Sequence, residues 1–424
     1  MTLILSVNTG SSSLKISLYK SAPQISLLLS SSTSSISSPK TAFSLKSSSE
    51  NIDTINLTDV QQINDHTSAF TYFLDSLKHQ VGIDINHISH VCHRVVHGGD
   101  FSNPVVIGDQ SYHHIEELSD LAPLHNGAAL SVIKAAVSAL PHAKSIAFFD
   151  SAFHVNLPAH VSTYAIDQAV ATKRGLRKYG FHGLSYAFVL RSVANYLNKP
   201  PSQVNIITLH LGSGASACAI RDGCSVDTSM GLTPLSGLPG ATRAGDIDPS
   251  LIFHYFSDPP HTAARMSHDP NLARDVHVTE AEDVLNTKAG WKALTGTADF
   301  GDVVEQIRRG DNDKCKLAFD LFVDRILHYV GAYFLTLRGN VDALVFTGGI
   351  GERCSELREA VACAIQCLGF VEIDKEKNAN IDENQVVCDI GSCVIGSGPE
   401  KRLIVCHTDE QFEMARQCVV EKIL

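Results

Sequence analysis

Three times along this chain a short apolar run ends in a turn of small residues. Leu3 to Val7 leads through Asn8 into Thr9-Gly10-Ser11-Ser12-Ser13, Ile206 to Leu211 leads into Gly212-Ser213-Gly214, and Leu344 to Thr347 leads into Gly348-Gly349-Ile350-Gly351. After the first two turns the chain resumes as a strand. Leu14-Lys15-Ile16-Ser17-Leu18 alternates and Ala215 to Ile220 is apolar, so both sites predict β-hairpins. The third turn runs instead into a helix-like stretch from Cys354 to Cys367, the strand-loop-helix order of an anion site. Helical spacing recurs in Leu317–Leu337, with Asp320, Asp324, Arg325 and His328 on one side, and in Asp409–Leu424. Thr408-Asp409-Glu410-Gln411 reads as a capping box that opens this last helix from Thr408. The class is α/β, with mixed sheets flanked by helices, and the repeated hairpin suggests two related domains.

Length and composition narrow this picture. A chain of 424 residues exceeds one compact core, which predicts two domains with function in the cleft between them. Eleven of the 21 residues from 30 to 50 are serine, so this segment is expected to be an exposed insertion with little reason to join a core. The net charge of −11 argues against nucleic acid or an anionic membrane as partner. The 11 cysteines form no C-x-x-C pair and are expected to be reduced thiols. Neither a secretory signal nor a membrane-spanning stretch is evident, and the expected location is the cytoplasm.

Candidate chemistry concentrates in the turns. In Asn8 to Lys15 the glycine allows close backbone approach, Ser11, Ser12 and Ser13 can donate to phosphate oxygens, and Lys15 supplies charge, although the pattern is not a Walker A loop. His210-Leu211-Gly212-Ser213-Gly214 and Gly348 to Gly351 can bring further main-chain N–H groups against oxyanions. Phosphoryl transfer also needs cations against the spreading negative charge. Arg94, His182 and Arg243 are candidates, each flanked by glycine or small residues. His93 and His97 have the spacing of a helical zinc pair, but Arg94 stands where that motif needs a glutamate. Asp150 ends an apolar run, where a buried carboxylate needs a partner or caps a helix. The capping box leaves Glu410 free for another role.

Together these motifs resemble the acetate kinase family, within the superfamily that also holds sugar kinases, actin and the heat-shock chaperone ATPases. The resemblance runs from Asn8 to Glu410 and is carried by Asn8–Lys15, His93–Gly99, Leu121–Asn126, Phe149–His154, Tyr179–Gly183, Ser225–Gly231 and Phe346–Glu352. It implies two actin-like (ribonuclease H-like) domains, residues 1–152 plus 410–424 and residues 153–409, with the active site in the interdomain cleft. It also implies a homodimer, Mg²⁺, and reversible phosphoryl transfer from ATP to acetate giving acetyl phosphate and ADP.

By the same resemblance Asn8 and Glu410 are metal-site residues, and Arg94, Asp150, His182 and Arg243 are the catalytic group, with Arg94 also binding the carboxylate. Val96, Leu124, Phe181 and Pro234 correspond to the pocket for the acetate methyl. Nucleotide contacts fall on Lys15, with Ser11 and Ser13 beside it, on His210 to Gly214, on Asp299, Phe300 and Gly301, and on Gly349, Ile350, Gly351, Glu352 and Arg353. The sequence departs from the family's usual residues at Gly127, Leu184, Tyr186, Ser213, Gly301 and Arg353. Alternatives are a propionate or butyrate kinase, a pyrophosphate-dependent acetate kinase, and a nucleotide-driven binding protein like actin or the chaperones.

Overall fold

A computed structural model describes residues 2–21, 24–36, 40–48, 54–118, 123–255, 266–268, 277–310, 312–392 and 401–420, without the side chains of 123–125, 254, 266–268 and 277–278. The chain divides into two compact units, Met1–Ala152 with His268–His277 and Asp409–Leu424, and Phe153–Ser267 with Val278–Thr408.

The first unit is built on a mixed eight-stranded sheet. Its strands are β1 (Leu3–Thr9), β2 (Ser13–Lys20), β3 (Ser26–Ser34), β4 (Ala42–Ser47), β5 (Ile55–Leu57), β6 (Ile88–Val95), β7 (Val105–Val106) and β8 (Lys144–Phe149), in the order β5-β4-β3-β2-β1-β6-β8-β7. The first predicted hairpin is present, with β1 and β2 antiparallel, while β6 and β8 continue the sheet parallel to β1. Helices α1 (His66–Ser76) and α2 (Pro123–Ala139) supply Phe70, Phe73, Val132 and Ala136 to a core shared with Leu5, Val7, Leu14 and Ile16.

The serine-rich segment corrects an expectation. It is not an exposed insertion: its described part forms β3 and β4, which lengthen the sheet beyond β2. Leu29, Ser31 and Thr33 alternate inward from β3 and meet Phe43 and Leu45 of β4, all of them buried. Serine and threonine there are small enough to be roofed by apolar neighbours, and the period-2 pattern survives although its polarity signal is weak. Residues 37–39, 49 and 50 of that segment lie outside the described residues.

The second unit repeats the plan. Strands β9 (Ile206–Leu211), β10 (Ala215–Arg221), β11 (Cys224–Thr228), β12 (Ala343–Thr347), β13 (Val387–Asp389) and β14 (Arg402–Cys406) form a sheet ordered β11-β10-β9-β12-β14-β13. Here too a hairpin, β9 and β10, is flanked on one side by an antiparallel strand and on the other by two strands parallel to its first. Helices α3 (Gly183–Tyr196), α4 (Phe300–Arg309), α5 (Asp313–Thr336), α6 (Gly348–Arg353) and α7 (Ser355–Ala364) belong to this unit. On α5, Cys315, Ala318, Phe322, Ile326, Val330 and Tyr333 are buried in one stripe, the amphipathic pattern read from the sequence. The third glycine turn is itself a short helix, α6, and after a break at Cys354, whose backbone is extended, the helix read from the sequence follows as α7 from Ser355.

The last helix, α8 (Glu410–Val420), returns to the first unit. Its cap is Asp409, whose Oδ1 accepts the Phe412 N–H at 2.8 Å, and not Thr408 as the spacing suggested. Thr408 instead meets Ser185 Oγ at 2.9 Å, and Gln411 donates to Ser17 Oγ. The ten described cysteines are all free thiols, and among the described residues no helix is long and apolar enough to cross a membrane.

Candidate active site

In the first unit the parallel strands β1, β6 and β8 end side by side, the usual address of a ligand in a sheet of this kind. Asn8 lies near the end of β1, Arg94 near the end of β6, and Asp150 follows β8 directly. Arg94 donates from Nε and Nη2 to the same oxygen, Asp150 Oδ2, at 3.0 and 2.6 Å. Its Nη1 donates to Asn8 Oδ1 at 3.0 Å and lies 3.2 Å from Glu410 Oε2. Asn8 closes the circle by donating from Nδ2 to that glutamate oxygen at 2.6 Å. Burial works against the Arg94 charge, but Asp150 and Glu410 outweigh it and hold the guanidinium's pKa above its ordinary value. Two carboxylates thus face one guanidinium.

The strap after β6 is clamped. Asn126 Oδ1 accepts the His97 N–H at 3.0 Å while its Nδ2 donates to the His97 carbonyl at 2.9 Å, and Ser151 Oγ accepts the Gly98 N–H. These bonds anchor the segment that carries Val96, two residues after Arg94. Sequence reasoning gave Asn126 no role, because its partners are backbone atoms 29 residues away. His93 and His97 lie on β6 and its exit, not on a helix, and burial pushes the His93 pKa down to about 3. Among the described residues no three His, Cys, Asp or Glu side chains group as a metal site.

At the β1–β2 turn, the Gly10 N–H donates to the Ser13 carbonyl at 2.8 Å, and the Gly10 carbonyl meets His66 Nε2 at 2.8 Å. Ser11 and Lys15 are exposed and Ser13 half-buried.

In the second unit, β9 and β12 are parallel neighbours with His210 opposite Thr347, so the two glycine turns after them adjoin. Gly348 has φ of 77°, and a Cβ there would stand 2.8 Å from the Leu211 carbonyl oxygen, which only glycine permits. A Cβ on Gly349 would meet nothing within 4 Å, leaving that backbone open to a ligand. The segment before Arg243 hangs on the first turn, with the Ala241 N–H donating to the Ser213 carbonyl at 2.8 Å.

Over Gly214 two cation candidates converge. A Cβ at that glycine would lie 3.0 Å from Arg243 Nη1 and 3.7 Å from His182 Nε2. His182 begins α3 with φ of 59°, a left-handed conformation that costs a non-glycine residue roughly 1–3 kcal/mol and therefore needs support. Support comes from Ser216 Oγ, 2.8 Å from His182 Nδ1, and from His210, whose ring stacks on His182 at 4.1 Å. Further support comes from His154, whose Nε2 meets the Phe181 carbonyl at 3.0 Å, one residue earlier. Burial pushes the His154 pKa down to about 4.

The remaining candidates have structural duties. Asp299 caps α4 by accepting the Gly301 N–H at 2.8 Å, and Phe300 is buried against Trp291 and Phe322. Glu352 Oε1 accepts the N–H groups of Gly348 at 2.9 Å and Thr408 at 3.2 Å, while its Oε2 lies 3.1 Å from His407 Nδ1. Ile350 packs against the core, and Arg353 is exposed. Phe181 and Pro234 are buried in the second unit and Val96 is half-buried in the first; the Leu124 side chain lies outside the described residues.

Paired mixed sheets with clustered cations and open glycine turns define a phosphotransferase-like α/β protein of the actin-like fold. Residues 3–416 match the model of the acetokinase family, and the chain belongs to that family. It is 48% identical over 426 residues to a protein of Emericella nidulans named probable acetate kinase, covering 98% of this chain and 97% of that one. The crystal structure of Porphyromonas gingivalis acetate kinase superposes with a TM-score of 0.82 at 31% identity, over 100% of both chains. That of a propionate kinase from Francisella tularensis does so with 0.83 at 33%, over 98% of this chain and 99% of the other.

Proposed function

We propose that the protein transfers the γ-phosphoryl group of ATP to acetate, reversibly, giving acetyl phosphate and ADP. The observation that carries this reading is the convergence of His182 Nε2 and Arg243 Nη1 over Gly214, beside open glycine turns. An acetate oxygen attacks the γ-phosphorus, the bond from that phosphorus to the β–γ bridging oxygen breaks, and the electron pair leaves with ADP. Acetate is ionised at pH 7, so no general base is needed, only positioning and charge neutralisation.

Arg94 is assigned the acetate carboxylate, with Asp150 and Asn8 fixing its guanidinium. His182 and Arg243 are assigned the equatorial oxygens of the transferring group, and the turns at Gly212–Gly214 and Gly349 the nucleotide phosphates. Val96, Leu124, Phe181 and Pro234 are assigned the methyl group, and Lys15 and residues 299–301 outlying nucleotide contacts.

Mg²⁺ fits the donor set of the first unit. Asn8, Asp150 and Glu410 offer the hard oxygens that this ion takes alongside substrate phosphates. When bound, Mg²⁺ neutralises charge on the β and γ oxygens. Homodimeric assembly and a cytoplasmic location complete the proposal on the family resemblance, and sedimentation at twice 45.8 kDa tests the former.

A hydroxylamine trap tests the reaction. Purified protein with Mg²⁺ is incubated with acetate, propionate or butyrate and with ATP or pyrophosphate. Acetyl hydroxamate with ATP is expected to form fastest; no hydroxamate from any pair would overturn the reading. One methylene shifts preference by only about 1–3 kcal/mol in an apolar pocket, so weaker activity on propionate is expected.

A further inference from the structure

We propose that Ser216 and Tyr186 are positioning residues that set the tautomer of His182, fixing its proton on Nε2, where it faces the ground shared with Arg243. The inference rests on the phosphoryl-transfer reading, in which His182 must donate rather than accept.

The geometry is a three-member relay. Ser216 Oγ lies 2.8 Å from His182 Nδ1 and 2.5 Å from the Tyr186 hydroxyl, and both Ser216 and Tyr186 are fully buried. The relay is built from one helical turn and one strand. The Tyr186 N–H donates to the His182 carbonyl at 3.0 Å in the first turn of α3, so the two side chains share a face, while Ser216 is the second residue of β10.

Ser216 has a single hydroxyl proton and stands between two partners, so it can donate to only one of them. A phenol is a stronger donor and a weaker acceptor than an alkyl hydroxyl, and an imidazole nitrogen is a stronger acceptor than a phenol oxygen. The favoured order is therefore Tyr186 O–H to Ser216 Oγ, then Ser216 O–H to His182 Nδ1, each bond strengthening the next. A neutral ring that accepts at Nδ1 carries its proton on Nε2. The opposite order would point a lone pair from Nε2 at phosphoryl oxygens and repel them.

A second feature restrains the ring. His210 stacks on His182 at 4.1 Å and 21° and is anchored in the same manner, its Nδ1 2.8 Å from Ser185 Oγ. Two imidazolium rings at that spacing would repel, which disfavours charging both at once.

The test uses the whole enzyme labelled with ¹⁵N-histidine, the His182 signals being assigned by their loss in His182→Gln. Wild type is expected to show a protonated Nε2 and an unprotonated, hydrogen-bonded Nδ1. A proton on Nδ1 would overturn the proposal, and beyond the assignment this measurement is made on the wild-type enzyme. In Ser216→Ala, kcat is expected to fall by about 10- to 100-fold with KM for ATP and acetate within about threefold, and Ser216→Thr to recover most of the loss. Tyr186→Phe is expected to lie between. Unchanged kcat in Ser216→Ala, or equal losses in the alanine and threonine variants, would also overturn it. Failure of wild type to form any acyl phosphate would sink the phosphoryl-transfer reading instead, leaving the tautomer itself measurable.

Discussion

Arg94 places two of its nitrogens on one oxygen of Asp150, whose side chain is fully buried. Such a pair fixes the direction of the guanidinium more than it stabilises the fold, because the desolvation of both charges offsets much of their attraction. Asp150→Asn keeps the shape but removes the charge. It is expected to lower kcat by about 10²- to 10³-fold, and Asp150→Ala to cost about 3–5 kcal/mol of stability as well, by leaving Arg94 short of its counter-ion. Steady-state kinetics and a denaturant melt check both.

Gly214→Ala puts a methyl carbon 3.0 Å from Arg243 Nη1. The guanidinium must move by a few tenths of an ångström, so kcat is expected to drop by about tenfold while the melting temperature stays close to wild type. Arg243→Ala is expected to cost about 3 kcal/mol of transition-state stabilisation, with a smaller change in KM for ATP. A near-normal kcat in Arg243→Ala would remove that residue from the mechanism.

Acid is expected to weaken the fold through His154. Its Nε2 donates to the Phe181 carbonyl and its Nδ1 accepts from Ser225 Oγ at 2.7 Å, so the folded state holds the neutral ring. Burial lowers its pKa from 6.5 to about 4. The unfolded chain therefore binds the proton first: this contribution to stability is complete above pH 6.5 and is lost as the pH falls towards about 4. His93, lowered to about 3, acts in the same direction. Urea melts across this range check the sign, and His154→Gln is expected to flatten the dependence.

Removal of divalent ions by a chelator is expected to abolish turnover, with recovery on adding Mg²⁺. Glu410→Gln removes one negative charge beside Asn8 and Arg94, so it is expected to raise the Mg²⁺ concentration needed for half-maximal activity. An unchanged requirement in that variant would separate Glu410 from the ion.

Asn126→Ala opens the clamp on His97. Two buried hydrogen bonds are lost, at about 1–3 kcal/mol for each backbone group left unsatisfied, and the strap carrying Val96 is released. The melting temperature is expected to fall and KM for acetate to rise more than KM for ATP.

Much of this was legible in the sequence because it is local. The β1–β2 and β9–β10 hairpins, the amphipathic α5 and the three glycine turns depend on residues a few positions apart, whose periodicity and backbone freedom are written in their order. The cations Arg94, His182 and Arg243 could be nominated from their small neighbours. The serine-rich strands were misjudged because burial there comes from what β2 and β4 lay over β3, not from its own hydrophobicity. The cap of α8 moved from Thr408 to Asp409 because two adjacent residues can both cap, and only backbone geometry chooses between them.

The chain's order alone therefore determined its class, its repeated hairpins, its family and its candidate residues. Tertiary structure alone decided what each candidate can do: that Asn8, Arg94, Asp150 and Glu410 form one hydrogen-bonded circle, and that Ser216, Tyr186 and His154 hold the His182 turn. The physical reason is distance. A hydrogen bond or ion pair between residues 8 and 410 leaves no trace in local pattern, since its direction and strength depend on burial and on atoms that folding alone brings within 3 Å.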